Sequence, residues 1–139
     1  MLHYILCITR YIEKMCRKRR ATVEKAEWLS QVRKGILEYS ILLMIQNKSI
    51  YGYELITAMN RHDVLSTTEG TLYPLLKRLE KEKIVTTTWK ETTPGVPPRK
   101  YYDLTEEGCS VLEMMNREWD CLVSAMTQIK NEKESVSNE

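Results

Sequence analysis

The sequence predicts a mainly α-helical α+β fold, in which three helices are followed by a β-hairpin and by one long C-terminal helix. The spacing of apolar residues leads to this prediction. Up to about residue 83, apolar residues recur three and four positions apart, which is the period of an α-helix. Residues 84–91 are instead rich in β-branched side chains, which favour a strand. After residue 105 the helical period returns.

Length and composition indicate a small globular protein. The 139 residues suit one domain with an appended helix. Apolar residues make up 42% and charged residues 29%, as in soluble globular proteins. The four cysteines are far apart and form no C-x-x-C pair, so neither a zinc site nor a disulfide framework is predicted. No cofactor is predicted, and a reducing cytoplasm is the expected compartment.

The charges are unevenly distributed along the chain. Residues 1–34 carry nine Lys/Arg and three Asp/Glu, residues 35–102 carry nine and seven, and residues 103–139 carry three and nine. The overall charge of +2 does not by itself imply a nucleic-acid partner. The acidic C-terminal part is not expected to face DNA, because like charge repels phosphate.

Residues 1–27 are predicted to be an N-terminal extension. Their apolar part covers about twelve residues, whereas a membrane-spanning helix needs roughly 20. The basic run at residues 17–20 follows the apolar part, whereas a signal peptide begins with its charges. No membrane partner is therefore predicted. Three interpretations stay open: an accessory helix, a mobile basic arm on DNA, or residues upstream of the physiological start.

Two helices are predicted between residues 28 and 59. The first runs from Trp28 to Gln46 and is so apolar that most of it should be buried. A short polar stretch ends it, and the second helix starts at Tyr51 and ends near Met59. Residues 60–66 are polar and are expected to form a turn.

The third helix, from Ser66 to Lys83, is predicted to present polar chemistry on its outer face. Ser66 and Glu69 have the spacing of a capping box, so the helix is expected to start here. Its apolar stripe consists of Leu72, Leu75, Leu76 and Leu79. The other face carries hydroxyls, a phenol and two cations, which suit phosphates and base edges: Thr67, Thr68, Thr71, Tyr73, Lys77 and Arg78. On these residues alone, an ordinary amphipathic surface helix explains the pattern equally well.

A β-hairpin is predicted after the third helix. Its strands are residues 84–91 and 99–105, and the loop between them holds three prolines and a glycine. A hairpin that follows three helices predicts a winged helix-turn-helix over residues 28–105. Arg99 and Lys100 are expected at the tip of the hairpin, where they would reach the phosphate backbone.

The C-terminal helix is predicted over residues 106–133, with a polar tail at 134–139. Thr105 is the expected N-cap, and two acids in the first turn complement the helix dipole. Apolar residues then form a seam with the 3-4 spacing of a coiled coil: Leu112, Met115, Trp119, Leu122, Met126 and Ile129. We expect this seam to hold a homodimer, although the helix could also fold back on its own core.

The sequence contains three further motifs: Tyr51-Gly-Tyr-Glu-Leu-Ile, Glu69-Gly-Thr-Leu-Tyr-Pro-Leu-Leu-Lys-Arg-Leu-Glu, and Pro97-Pro-Arg-Lys-Tyr-Tyr with Leu104, Thr105 and Gly108. Over roughly Trp28 to Lys130, these motifs resemble the PadR-like family of bacterial transcriptional regulators. The resemblance implies a winged helix-turn-helix that dimerises through its C-terminal helix and represses at palindromic operators, often beside transporter or stress genes. Lys83 stands where the family often has glycine, and we expect this to alter a helix C-cap and not the function.

Residues and resemblance together predict two sets of contacts. Contacts with double-stranded DNA are expected from Tyr51, Thr68, Thr71, Tyr73, Lys77, Arg78, Arg99 and Lys100. The single C-terminal helix resembles the multidrug-responsive branch, in which a tryptophan stacks on flat aromatic ligands, and Trp119 stands at the matching place. With Met115 and Met126, it is expected to line a pocket for a planar lipophilic or phenolic effector.

Two other classes of function fit the sequence less well. A winged helix can also serve as a protein–protein interaction module without DNA readout, and steep salt dependence of duplex binding would separate the two. An enzyme is not predicted. The only histidines, His3 and His62, have no cysteine or acid at catalytic spacing, and there is no glycine-rich phosphate loop.

Overall fold

The computed structural model describes the backbone of residues 2–136 and the side chains of residues 24–132. Elements are labelled in chain order. The helices are α1 (Leu2–Asn47), α2 (Gly52–Asn60), α3 (Glu69–Lys81) and α4 (Glu106–Val136), and a short 3-10 helix covers Asp63–Leu65. The strands are β1 (Ile50–Tyr51), β2 (Val85–Lys90) and β3 (Arg99–Leu104). The described chain forms two compact units, one up to Leu37 and one from Glu38 onward.

The first unit consists of the helical residues of α1 up to Leu37. The helix begins at Leu2 and not at the predicted Trp28, so its backbone continues without a break through residues 2–27. Of the side chains described there, Trp28 is largely exposed. The side chains of the basic run at residues 17–20 lie outside the described residues, so the proposed basic arm stays a prediction.

The second unit contains the hydrophobic core. Helix α1 enters it only at its end, where Ile41, Leu42 and Ile45 are buried, so the expectation of a mostly buried first helix holds for this end alone. Each fully buried aliphatic side chain contributes about 1.5–3 kcal/mol to folding. The remaining core side chains come from α2, α3, the sheet and α4: Ile50, Leu55, Ile56, Met59, Leu72, Leu76, Leu79, Val85, Tyr102 and Leu112.

The sheet has three antiparallel strands in the order β1-β3-β2. The predicted hairpin is confirmed, with Val85 opposite Leu104 at its base and Lys90 opposite Arg99 at its far end. Strand β1 was not predicted. It pairs with the middle of β3, where Ile50 lies opposite Tyr102. Three helices and this sheet make the predicted winged helix-turn-helix, so the fold class is confirmed.

The ends of α3 differ in part from the prediction. Thr68 is the N-cap, and its side chain makes no capping hydrogen bond, so the capping box at Ser66 is wrong. Instead, the backbone N–H of Thr67 donates to Asn60 Oδ1 at 2.9 Å, so this backbone donor just before the helix has a hydrogen-bond partner.

At the other end of α3, Lys83 adopts a left-handed conformation with φ of 60°. The N–H of Ile84 donates to Leu79 O at 2.9 Å, and that of Lys83 donates to Glu80 O at 3.1 Å. This is a Schellman C-cap, which usually ends in glycine. A lysine keeps the cap at a cost of about 1–2 kcal/mol in backbone strain.

The start of α4 is locked to the turn between α3 and β2. The N–H of Gly108 donates to Thr105 Oγ1 at 2.9 Å, which confirms Thr105 as the N-cap. The same hydroxyl donates to Lys83 O at 2.6 Å. A Cβ atom at Gly108 would lie 2.1 Å from Ile84 O, so only glycine allows this approach. These contacts fix the direction in which α4 leaves the core.

Candidate nucleic-acid interface

The outer face of α3 is exposed as the sequence predicted. Leu72, Leu76 and Leu79 point into the core and Leu75 is half-buried, which leaves the other side chains between them in solvent. The exposed group contains the expected contact residues of this helix, namely Thr68, Thr71, Tyr73, Lys77 and Arg78. At its N-terminal end, the hydroxyls of Thr68 and Thr71 lie 3.3 Å apart. The helix therefore presents hydroxyls near its start and cations further along.

Tyr73 is partly structural as well as exposed. A Cβ atom at Gly52 would lie 2.6 Å from Tyr73 Cε1 and 2.8 Å from its hydroxyl oxygen, so the ring packs against the start of α2. Partial burial raises the pKa of the Tyr73 phenol, and the nearby Glu69 carboxylate adds to the effect. Gly52 in the Tyr-Gly-Tyr motif thus makes room for the phenol of α3.

The two cations of α3 have different surroundings. Arg78 donates to the Glu38 carboxylate at 2.5 Å, and its Nε lies 4.0 Å from Glu82. The Arg78 side chain is still 53% exposed, and surface ion pairs contribute at most about 1 kcal/mol. The ion pair with Glu38 therefore costs little to break. Lys77 is exposed, and no described carboxylate forms an ion pair with it.

The outer face of the sheet carries a cluster of cations and tyrosines, here called the wing face: Tyr51, Lys90, Arg99 and Tyr101. The Arg99 guanidinium lies 4.6 Å from the centre of the Tyr51 ring. Lys90 Nζ lies 4.7 Å from the centre of the Tyr101 ring, and the two tyrosine rings are 5.6 Å apart. Sequence reasoning missed Lys90 and Tyr101, although hairpin register pairs Lys90 with Arg99.

Lys100 does not join Arg99 on the wing face. Successive side chains of a strand point to opposite faces, and Lys100 turns towards α3, where its Nζ donates to Glu80 Oε2 at 2.9 Å. Thr87 Oγ1 donates to the other oxygen, Glu80 Oε1, at 2.7 Å. The hydrogen bond from Lys100, supported by that from Thr87, lowers the pKa of Glu80, and the same bond raises the pKa of Lys100. The structure therefore separates the two residues predicted to act together at the tip.

Trp119 lies against the end of α1. Its ring centre is 5.8 Å from that of Tyr39, and the planes are inclined by 42°. The Tyr39 hydroxyl donates to Asn116 Oδ1 at 2.7 Å, which holds the tyrosine beside the tryptophan. Trp119 is 38% exposed, so one part of the indole packs within the chain and another part is open. Sequence reasoning did not identify Tyr39 or Asn116, because neither belongs to an apolar period.

The predicted seam of α4 divides into a buried start and an exposed remainder. Leu112 is 1% exposed and lies in the core of its own chain, so it has no surface left for a partner. Met115 is half-buried. Leu122, Met126 and Ile129 are 59%, 60% and 54% exposed, together with the neighbouring Val123. The apolar face available to a partner therefore begins near Trp119 and continues towards the end of α4.

Other chemistry is sparse in the described part of the chain. No group of three or more His, Cys, Asp or Glu side chains among residues 24–132 could hold a metal ion. None of the helices searched over the same residues is long and apolar enough to cross a membrane. His62 is exposed, and His3 lies outside the described side chains. Cys109 and Cys121 are exposed free thiols.

The helices, the wing and their exposed cations define a class, the winged helix-turn-helix DNA-binding proteins. Residues 41–114 match the transcriptional regulator PadR-like family. An uncharacterised protein of Lysinibacillus sphaericus is 32% identical over 92 residues, which cover 65% of this chain and 84% of that protein. The chain belongs to the PadR-like family and is a DNA-binding transcriptional regulator.

Solved structures agree with this assignment. A PadR-like transcriptional regulator from Bacillus cereus is 39% identical, covers 71% of this chain and 95% of its own, and has a TM-score of 0.66. A PadR-like transcription factor from Bacteroides fragilis is 41% identical, with 72% and 95% covered and a TM-score of 0.61. A PadR family regulator from Eggerthella lenta is 30% identical, with 75% and 89% covered and a TM-score of 0.66. These relatives are regulators and not enzymes, in agreement with the sequence-based prediction.

Proposed function

We propose that this regulator is a homodimeric repressor that binds a palindromic operator and is released by a planar lipophilic or phenolic effector. The observation that carries the proposal is that one small domain exposes two cationic surfaces, one on α3 and one on the wing face. Helix α3 exposes Lys77 and Arg78 beside its threonines, and the wing face exposes Lys90 and Arg99. Contacts of α3 with base edges would supply specificity, and wing contacts with phosphates would supply affinity.

The exposed apolar face of α4 supports a dimer. Leu122, Met126 and Ile129 lie at spacings of four and three on one helix face, and each is more than half exposed. An isolated helix with such a face is covered most simply by a second copy of itself, around a two-fold axis. That axis would present two copies of α3 to successive major grooves, about 34 Å apart, which predicts a palindromic site.

Repression follows if a dimer bound near a promoter excludes the polymerase from the DNA that it covers. An effector would end that occupancy only in so far as it prefers the dimer geometry that does not fit DNA. The proposed effector site is centred on Trp119, with Met115 and Met126 on the same helix. The open part of the indole, with the exposed and flexible Met126 about two helical turns further along, suits a flat aromatic molecule.

The effector site is tested with a panel of planar dyes. Trp28→Phe and Trp89→Phe, both at exposed positions, leave Trp119 as the only tryptophan, so its fluorescence reports the site alone. Stacking should quench the indole, and operator binding should weaken at the same dye concentrations. The effector proposal is wrong if no dye quenches Trp119 below about a millimolar, the weak end of specific affinities, while the dimer stays intact.

Selection of bound duplexes from a random pool tests the proposed function as a whole. A recovered palindrome would establish sequence-specific binding and two-fold symmetry together. An enriched site without symmetry would contradict the dimeric docking. If no duplex is enriched and binding lacks a steep dependence on salt, the alternative of a winged-helix protein–protein interaction module would replace DNA readout.

A further inference from the structure

We propose that Glu80 is a positioning residue that holds the wing in a defined orientation on α3, and that Lys100 serves DNA binding through Glu80 and not through a phosphate. This inference rests on the proposed DNA-binding function. It assigns a role to a carboxylate on α3, the helix proposed to contact DNA, where a negative charge would otherwise only repel DNA.

The geometry of Glu80 is that of a bridge between three elements. Its Oε1 accepts from Thr87 on β2 at 2.7 Å, and its Oε2 accepts from Lys100 on β3 at 2.9 Å. Each carboxylate oxygen thus binds a different strand of the hairpin. Thr87 lies opposite Tyr102, two positions from Lys100 on the same face, and Lys100 Nζ lies 5.7 Å from the Tyr102 ring centre. The bridge therefore lies directly above a buried tyrosine.

The position of the bridge along the hairpin explains why it would matter. The hairpin is attached to α3 at its base by the short turn through Lys83, and its cations Lys90 and Arg99 are at the far end. Val85 and Lys90 are five residue steps apart along β2, which is a distance of about 17 Å. A rotation of about 10° at the base would move the tip by about 3 Å, the length of one hydrogen bond. Such a displacement is enough to break a phosphate contact.

The charges lead to the same assignment. A carboxylate that accepts two hydrogen bonds, one of them from a cation, is a strong acceptor. The side chains of Glu80 and Lys100 are each about two-thirds shielded from solvent. The ammonium group of Lys100 is hydrogen-bonded to Glu80. Successive side chains of β3 point to opposite faces, so Lys100 points away from Arg99. The wing cations free to meet phosphate are then Lys90 and Arg99. Lys100 should consequently be absent from the counterion release that accompanies DNA binding.

A charge swap tests this assignment with a selected operator duplex in fluorescence anisotropy titrations at several salt concentrations. Lys100→Glu places two carboxylates together and should reduce affinity by about tenfold or more. Adding Glu80→Lys reverses the pair and should restore affinity to within about threefold of the wild type, with an unchanged log–log salt slope. If Lys100 contacted a phosphate, the swap would not restore affinity and the slope would become shallower by about 1 per subunit. That outcome overturns the proposal.

A second variant removes the charge without a large change of shape. Glu80→Gln should weaken operator binding, although it removes a negative charge near DNA. The matched control Glu82→Gln, two residues further on, removes the same charge from a carboxylate that is not bonded to the wing, and it should not weaken binding. Equal effects of the two variants would show that Glu80 acts only through the general electrostatic field, and the proposal would be wrong.

Amide hydrogen exchange without DNA separates this proposal from the proposed function. Glu80→Gln should speed exchange in β2 and β3 while the exchange of α2 stays unchanged, because only the wing loses its attachment. Unchanged wing exchange in this variant would contradict the positioning role. If the wild-type protein bound no duplex at all, the DNA-binding function would fail, and the exchange result would still decide whether Glu80 orients the wing.

Discussion

Replacing Leu122 with Asp is expected to convert the proposed dimer into monomers. Leu122 lies in the middle of the exposed apolar face of α4, and 59% of it is accessible in the single chain. It makes no contribution to the core of its own subunit, in contrast to Leu112. The substitution should therefore leave the winged helix folded and affect association alone.

The magnitude follows from the exposed area and from symmetry. Full burial of an aliphatic side chain contributes about 1.5–3 kcal/mol, so covering the exposed part of Leu122 contributes about 1–2 kcal/mol. A two-fold axis brings the residue into the interface twice. An unpaired carboxylate in an apolar contact adds a cost of several kcal/mol. A total of at least about 5 kcal/mol corresponds to more than three orders of magnitude in the dimer dissociation constant.

Sedimentation velocity over a range of protein concentrations measures this change, and circular dichroism confirms that the fold is retained. Cys121→Asp is the matched control, because it introduces the same charge at the neighbouring exposed position, off the apolar face. The control should remain a dimer and keep its operator affinity. A Leu122→Asp protein that still sediments as a dimer would show that this face of α4 does not form the interface. Equal dissociation of both variants would show the same.

Three further changes test other parts of the molecule. Lys77→Ala should make the log–log salt slope of operator binding shallower by about 1 per bound subunit, and an unchanged slope would remove Lys77 from the DNA contacts. Arg99→Ala with Lys90→Ala should weaken binding to all duplexes equally, since phosphate contacts carry no sequence information; a loss confined to the operator would mean that the wing reads bases or groove shape. Lys83→Gly should raise the free energy of unfolding by about 0.5–1 kcal/mol in thermal melts, because glycine adopts a positive φ without strain. Lys81→Gly, inside α3, should lower it instead, and a destabilised Lys83→Gly protein would contradict the strained cap.

Much of the fold could be predicted because its signals are local. The leucine spacing of α3 and the β-branched run of β2 each appear within one segment. The structure has β2 within one residue of its predicted ends and α3 within three. Thr105 was recognisable as the N-cap of α4 from its own position before two acids. At Lys83 the family resemblance led us to expect an altered helix C-cap, whereas the structure keeps the cap with lysine in the αL conformation.

Other features depend on partners that are distant in the chain. Strand β1 is two residues long and has no periodic signal, and it exists because it pairs with β3 about fifty residues later. The capping box at Ser66 was wrong for a more local reason. The backbone N–H of Thr67 bonds to Asn60, seven residues earlier, and α3 begins at Glu69 with Thr68 as its N-cap.

The candidate site shows the same division. The amphipathic period of α3 determined that Lys77 and Arg78 would be exposed, because the leucines of the same helix had to be buried. Strand alternation separates Arg99 from Lys100, but only packing decided that α3 would bring Glu80 to meet Lys100. In α4, the seam residues Leu112 and Leu122 look alike in sequence. The tertiary structure distinguishes them, because the helix leaves its own core between the two and exposes the second to a partner.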